Sequence, residues 1–138
     1  MDSQREIVLT NQFTELERVA HEVEAFGEAH GLGAKSIFNV NLALDEILTN
    51  VISYGYPEGG EHVITVRLAL SAAELVIEVE DDGRPFNPLG TAVPDIEQSP
   101  DERPIGGLGL HLVRKVMDRL EYRRAHGKNI FILTKAVR

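Results

Sequence analysis

Apolar residues recur along this chain in two rhythms, and each change of rhythm marks a new element. Residues 5–10 are short, β-prone and bounded by polar positions, which predicts a first strand suited to a sheet edge. From Phe13 onward the apolar residues Leu16, Val19, Ala20, Val23 and Phe26 fall at helical spacing. Glycine is the usual residue just past a helix end, so that helix should stop near Gly31 or Gly33. A second helix is predicted from Ala34 to Tyr54, with Ile37, Val40, Leu44, Ile47, Leu48 and Val51 as its apolar stripe. Pro57, Gly59 and Gly60 break it.

The period then shortens to two. Ile64, Val66, Leu68 and Leu70 share one face of residues 62–70, and Leu75, Ile77 and Val79 share one face of residues 74–80. One apolar face per strand predicts antiparallel strands lying on a helical layer, joined by a tight hairpin at Ser71, Ala72 and Ala73. Residues 87–106 carry Pro88, Pro94, Pro100 and Pro104 among acidic side chains and fit neither a packed helix nor a strand. A loop that long in a small domain is either a functional lid or disordered. A third helix opens at Gly106-Gly107-Leu108-Gly109, with Leu110, Val113, Val116, Met117 and Leu120 as its stripe. Two last strands, 120–125 and 129–137, are joined by His126, Gly127 and Lys128. The predicted fold is α+β, a two-layer sandwich with a mixed, mostly antiparallel sheet and helices on one face. Residues 1–138 read as a single domain without internal repeats.

Composition narrows the setting. At 138 residues and 43% hydrophobic content the chain can build its own core. It has no cysteine, which excludes disulfides and thiolate metal sites and fits a reducing, cytoplasmic setting. No apolar run has the length of a signal peptide or a membrane span. The net charge of -8 argues against nucleic acid or an anionic membrane as a main partner. Arg114, Lys115, Arg119, Arg123 and Arg124 form a local basic cluster, whose plainer reading is a solvated helix face running into a strand.

Three places could carry chemistry. Glu46 and Asn50 lie one turn apart on the second helix, about 40° apart around its axis and away from the apolar stripe. A carboxylate and a carboxamide held side by side can take a proton and hold a metal, although such pairs are more often a wet helix face. Asp81 and Gly83 follow directly on a strand; an aspartate there can accept from a ligand amine such as adenine N6, and a glycine lets a flat base approach. Read alone, Asp81-Asp82-Gly83 is a common turn signal. Gly107, Leu108 and Gly109 open a helix, where free backbone N–H groups and the macrodipole favour an anion. No Lys-Ser or Lys-Thr follows, so this is not a P-loop. His21, His30, His62, His111 and His126 show no metal-ligand spacing, though His111 sits one turn inside the third helix.

Order and spacing together say more than each motif. E-x-x-x-N, then D-x-G-x-P-F, then a long loop, then G-x-G at a helix start resembles the GHKL ATPase superfamily with its Bergerat ATP-binding fold. The likeness runs over residues 42–133. Within the superfamily the chain is most similar to the small anti-sigma-factor serine/threonine kinases of bacterial stress and sporulation switches. The resemblance implies a kinase that uses Mg-ATP to phosphorylate a serine of a small anti-anti-sigma (STAS-type) antagonist and that also holds a sigma factor. It implies Glu46 as general base, Asn50 as Mg²⁺ ligand, Asp81 and Gly83 at the adenine, and Gly107, Leu108 and Gly109 around the phosphates. Residues 87–106 would be the ATP lid, and a homodimer is a further expectation.

The pattern departs from the superfamily at three points. Tyr54 stands where relatives often carry a His or Lys near the phosphates. Asn129 stands where many have a Thr near the adenine, and it is expected to bond a water or the base. No lysine is evident for the γ-phosphate, with Arg84, Arg103 and Lys35 as stand-ins. Two alternatives stay open. One is an ATP-dependent partner-binding module without efficient phosphotransfer, against which Glu46 argues. The other is a detached histidine-kinase catalytic domain, against which the lack of a preceding helical hairpin with a phosphorylatable histidine argues.

Overall fold

The computed structural model describes residues 3–85 and 107–137, with backbone only for 107–111. Its elements in chain order are β1 (Gln4–Thr10), a 3₁₀ turn (Phe13–Glu15), α1 (Leu16–Ala29), α2 (Ala34–Tyr54), β2 (Val63–Leu70), β3 (Glu74–Asp81), α3 (Gly107–Val116), β4 (Arg119–Ala125) and β5 (Lys128–Ala136). The helix and strand boundaries fall within a few residues of those the rhythms predict. α1 closes on a 5→1-type turn at His30, whose N–H reaches the Phe26 carbonyl, and Gly31 follows with φ of 73°.

The five strands form one sheet in the order β1-β2-β3-β5-β4. All four pairings are antiparallel, so the sheet is not mixed among the described strands. β1 is an edge, as its short, polar-bounded sequence suggests. Its free backbone groups are covered from α1 and the preceding turn. Arg18 donates to the Val8 carbonyl at 2.7 Å, and the Thr10 N–H donates to Glu15 Oε2 at 2.9 Å. Filling those groups blunts the edge against pairing with another chain.

Strand alternation decides which face is packed. Ile7 and Leu9 of β1, Ile64, Val66 and Leu68 of β2, Leu75, Ile77 and Val79 of β3, and Phe131 and Leu133 of β5 are all buried in one cluster. Val19, Val23 and Phe26 of α1 and Val40, Leu44, Ile47, Leu48 and Val51 of α2 meet them there, with Val113 of α3. The helices therefore lie on one face. Burial of a Leu, Ile or Val side chain is worth about 1.5–3 kcal/mol each, which makes this interlayer cluster the main stabilising feature. The opposite sheet face is held by ion pairs instead: Arg67 lies 2.8 Å from Glu78 and 3.2 Å from Glu6, across three strands.

Two details of register bring distant residues together at one end of the sheet. The β4–β5 turn consists of His126 and Gly127 alone, both with positive φ (54° and 74°), and Lys128 already pairs with Ala125. A two-residue turn of that hand suits the strand twist, and it is one residue shorter than the predicted link. It sets Arg124 opposite Asn129. β3 runs one residue further than predicted, which sets Asp81 opposite Asn129 on the other side.

Candidate functional site

Asp81 ends β3 on the helix-facing side of the sheet, in line with Ile77 and Val79, and is only 2% exposed. Its Oδ1 accepts from the Gly83 N–H at 2.8 Å and from Asn129 Nδ2 at 3.0 Å. Its Oδ2 is buried and has no hydrogen-bond partner among the described residues. A buried acceptor without a donor costs about 1–3 kcal/mol, so the folded protein carries an unmet demand at this atom. Burial pushes the Asp81 carboxyl above its ordinary value; the hydrogen bonds from Asn129 and Gly83 pull it back, as does the charge of Arg124, while Asp82 pushes it further up.

Gly83 is required by space. A Cβ there would stand 2.7 Å from the Gly55 carbonyl oxygen and 2.9 Å from Asp81 Oδ1. The turn is tied to the end of α2 by the Arg84 N–H, which donates to the Gly55 carbonyl at 2.9 Å. That bond fixes the order of the site. Along α2, Asn50 lies about 7 Å and Glu46 about 13 Å back from Gly55, at 1.5 Å per residue. A buried acceptor, a carboxamide and a carboxylate thus follow one another along one track.

Asn50 is 7% exposed, whereas Glu46 is half-buried. The sequence places both on a face turned away from packing; the structure buries the carboxamide. Asn50 Nδ2 donates to the Glu46 carbonyl at 2.9 Å. Its Oδ1 accepts nothing from the described residues, so the amide is oriented with its hard oxygen ligand spare. Tyr54 is the last residue of α2 and is largely exposed.

Asn129 is 2% exposed, and its hydrogen-bonding capacity is filled from within. Besides Asp81, Nδ2 donates to the Arg84 carbonyl at 2.8 Å, and Oδ1 accepts from the Tyr122 hydroxyl at 2.6 Å and Arg124 Nη1 at 3.1 Å. Against the expectation that Asn129 bonds a water or the base, its amide is engaged on both sides by described residues of the chain itself. Lys35, one of the expected stand-ins for a phosphate lysine, is remote from Asn50. It sits in the first turn of α2, about 22 Å along an unbroken helix from Asn50, far beyond a lysine's reach. Arg84 is exposed beside the Asp81 turn, at the opposite end of the track from Glu46.

Gly107, Leu108 and Gly109 form the first turn of α3, which packs on α2. The first backbone N–H groups of a helix have no partner within it, so this turn can offer donors to an anion. The expected lid 87–106, with Arg103, and the His111 side chain lie outside the described residues. Of the other histidines, His30 packs on Phe26 and His62 stacks on Tyr56 at 4.3 Å and meets Asp82 at 3.2 Å. Among the described residues no cluster of three His, Asp or Glu could hold a metal ion by itself.

Sequence reasoning missed Arg124 and Tyr122. Arg124 lies in the basic cluster read as a solvated face, yet its Nη1 also donates to the Gly83 carbonyl at 2.8 Å. The signal was available in the hairpin: a two-residue turn at His126-Gly127 puts residue 124 opposite residue 129.

The fold and this site define a class: an α+β domain in which a buried strand-end acid lies beside a polar track on one helix. The family follows from comparison. The sequence profile of the histidine kinase-like ATPase domain matches residues 9–135, and the chain belongs to that family. Membership implies ATP binding. The chain is 32% identical over 101 residues to the serine/threonine-protein kinase BtrW of Bordetella bronchiseptica, covering 73% of this chain and 71% of that one. It is 32% identical over 108 residues to the anti-sigma F factor of Clostridium acetobutylicum, covering 73% and 70%. Two solved structures share the fold. The RsbU and RsbW domains of a Mycobacterium tuberculosis protein superpose with a TM-score of 0.68 at 16% identity, over 99% of this chain and 33% of that one. The catalytic domain of the histidine kinase ThkA superposes with a TM-score of 0.54 at 14% identity, over 96% and 97%. Among the described residues, no helix is long and apolar enough to cross a membrane.

Proposed function

We propose that this protein is an ATP-dependent serine/threonine kinase of a partner-switching circuit: it phosphorylates a serine of an anti-anti-sigma (STAS-type) antagonist and acts as an anti-sigma factor. The names of its relatives, a serine/threonine-protein kinase and anti-sigma F factors, support the reading. The observation that carries it is the buried Oδ2 of Asp81, which has no hydrogen-bond partner among the described residues, beside a turn too tight for any side chain at Gly83. An exocyclic purine amine supplies the missing donor, and a glycine lets the base lie against the backbone.

The residues then fall into order along the nucleotide. Asp81 and Gly83 take the adenine, with Asn129 behind them. Asn50 offers Oδ1 as a ligand to Mg²⁺, and a single carboxamide suits that ion, which keeps most of its coordination for phosphate oxygens and water. Bound there, Mg²⁺ would neutralise charge on the phosphates. The first turn of α3, Gly107, Leu108 and Gly109, donates backbone N–H groups to phosphate oxygens. Glu46, one turn further from the adenine end than Asn50, accepts the proton of the substrate serine. Phosphoryl transfer asks chiefly for positioning and charge neutralisation, and one helix face holding base and metal ligand supplies the first. Residues 87–106 would close over the nucleotide, in a cytoplasmic protein that works as a homodimer.

The test is calorimetric titration with ATP, with and without Mg²⁺, followed by transfer from γ-labelled ATP to a serine of a STAS-type antagonist. Magnesium-dependent binding with transfer is the expected result. Binding without any transfer to a panel of such antagonists would reduce the protein to a nucleotide-sensing binder.

A further inference from the structure

Asp81 uses its two oxygens differently, and the cause is a clamp from two other strands. We propose that Asn129, gripped by Tyr122 and Arg124, is a positioning residue that ties Asp81 Oδ1 and so reserves Oδ2 for the amine of an adenine. This rests on Asp81 being the purine acceptor of the proposed kinase.

A carboxylate's terminal torsion is broad, and a free one presents either oxygen. Here Oδ1 is held from two sides, by the Gly83 N–H at 2.8 Å and Asn129 Nδ2 at 3.0 Å. The asparagine in turn has one orientation. Its Nδ2 faces three acceptors: Asp81 Oδ1, the Arg84 carbonyl at 2.8 Å and the Gly83 carbonyl at 3.5 Å. Its Oδ1 faces two donors, the Tyr122 hydroxyl at 2.6 Å and Arg124 Nη1 at 3.1 Å. A flipped amide would set oxygen against the carboxylate and carbonyls, and N–H groups against the two donors.

Arg124 grips twice. The same Nη1 that meets Asn129 donates to the Gly83 carbonyl at 2.8 Å, so one guanidinium fixes both the amide and the turn. Strand register brings these groups together: Asp81 and Arg124 both lie opposite Asn129, from β3 and β4. A hydroxyl at 129 would have one proton to donate and could not serve Asp81 and the Arg84 carbonyl at once. Arg124 also favours the ionised acid. The charged groups acting on Asp81 are Asp82 on its own turn and Arg124 from β4; the Tyr56 hydroxyl, from the loop after α2, is itself raised by burial and by the charges of Asp81 and Asp82.

The experiment compares ATP with purine riboside triphosphate, which differs only in lacking the 6-amino group. It uses the full chain as wild type, Arg124→Met, Arg124→Lys and Tyr122→Phe. Wild type should prefer ATP about tenfold or more, the size of one hydrogen bond to a charged acceptor. Arg124→Met should cut that preference to about threefold or less, almost wholly through weaker ATP. The pH below which ATP affinity falls should move upward in this variant, because the buried acid loses its compensating charge. Arg124→Lys should recover part of the preference, and Tyr122→Phe should lose part. An unchanged preference in Arg124→Met, or equal losses for both nucleotides with no pH shift, overturns the clamp. Equal affinities in wild type would instead overturn Asp81 as the amine acceptor.

Discussion

Replacing Asp81 by asparagine should separate ligand recognition from folding. The new Oδ1 can still accept from the Gly83 N–H and Asn129 Nδ2, the two bonds seen at 2.8 and 3.0 Å. The new Nδ2 replaces the unpartnered Oδ2, and an acceptor becomes a donor facing the ligand's own donor. Losing a hydrogen bond to a charged group costs about 1.5–3 kcal/mol, or about 10- to 150-fold in ATP affinity. Apo stability should move the other way or stay level, because a buried carboxylate without a full set of donors is removed. The sign with pH follows from the raised carboxyl. The folded state holds that proton more tightly than the unfolded chain, so ionising Asp81 opposes folding. Wild-type stability relative to the variant is therefore fully present below the ordinary value of 3.8 and is lost as pH rises through the folded value. Calorimetric ATP titration and urea unfolding at several pH values read both quantities. Unchanged ATP affinity would remove Asp81 from the site. An apo protein weakened by more than about 2 kcal/mol would make the carboxylate structural instead.

Other variants probe the rest of the track. Glu46→Ala should bind ATP nearly as wild type and lose about 10²- to 10⁴-fold in serine phosphorylation, the usual worth of a general base; loss of binding along with transfer would refute that role. Asn50→Ala should abolish the tightening of ATP by Mg²⁺ while magnesium-free binding persists, and an undiminished Mg²⁺ effect in titrations would assign the ion elsewhere. Gly83→Ala should cost about 1–3 kcal/mol in urea unfolding, because its methyl meets the Gly55 carbonyl and the Asp81 carboxylate; wild-type stability would show that the turn can move aside.

Much of the fold was legible because its elements are strongly periodic. The α2 stripe of Ile37, Val40, Leu44, Ile47, Leu48 and Val51 is buried as its spacing predicts. So are the alternate positions of β2 and β3, since period two leaves a strand only two faces to choose between. Joint motif spacing led to the family that the profile match shows. The errors came where long-range packing or a single residue of register decided. Asn50 reads as wet on a helical wheel, which knows nothing of the rest of the fold, yet it is buried. Asn129 reads as free for a ligand in the sequence because its partners come from residues 81, 83, 84, 122 and 124.

The sequence by itself determined which segments are helix and strand, which faces are apolar, and which side chains can accept a proton, a metal or an amine. Those properties are local and repeat with short periods, so the order of residues contains them. Only the tertiary structure decided which oxygen of Asp81 is spent and which is spare. It also drew Arg124 out of a basic cluster and into hydrogen bonds with Gly83 and Asn129. Hydrogen-bond satisfaction is a sum over neighbours in space, and at Asp81 those neighbours come from the turn after β3 and from β5.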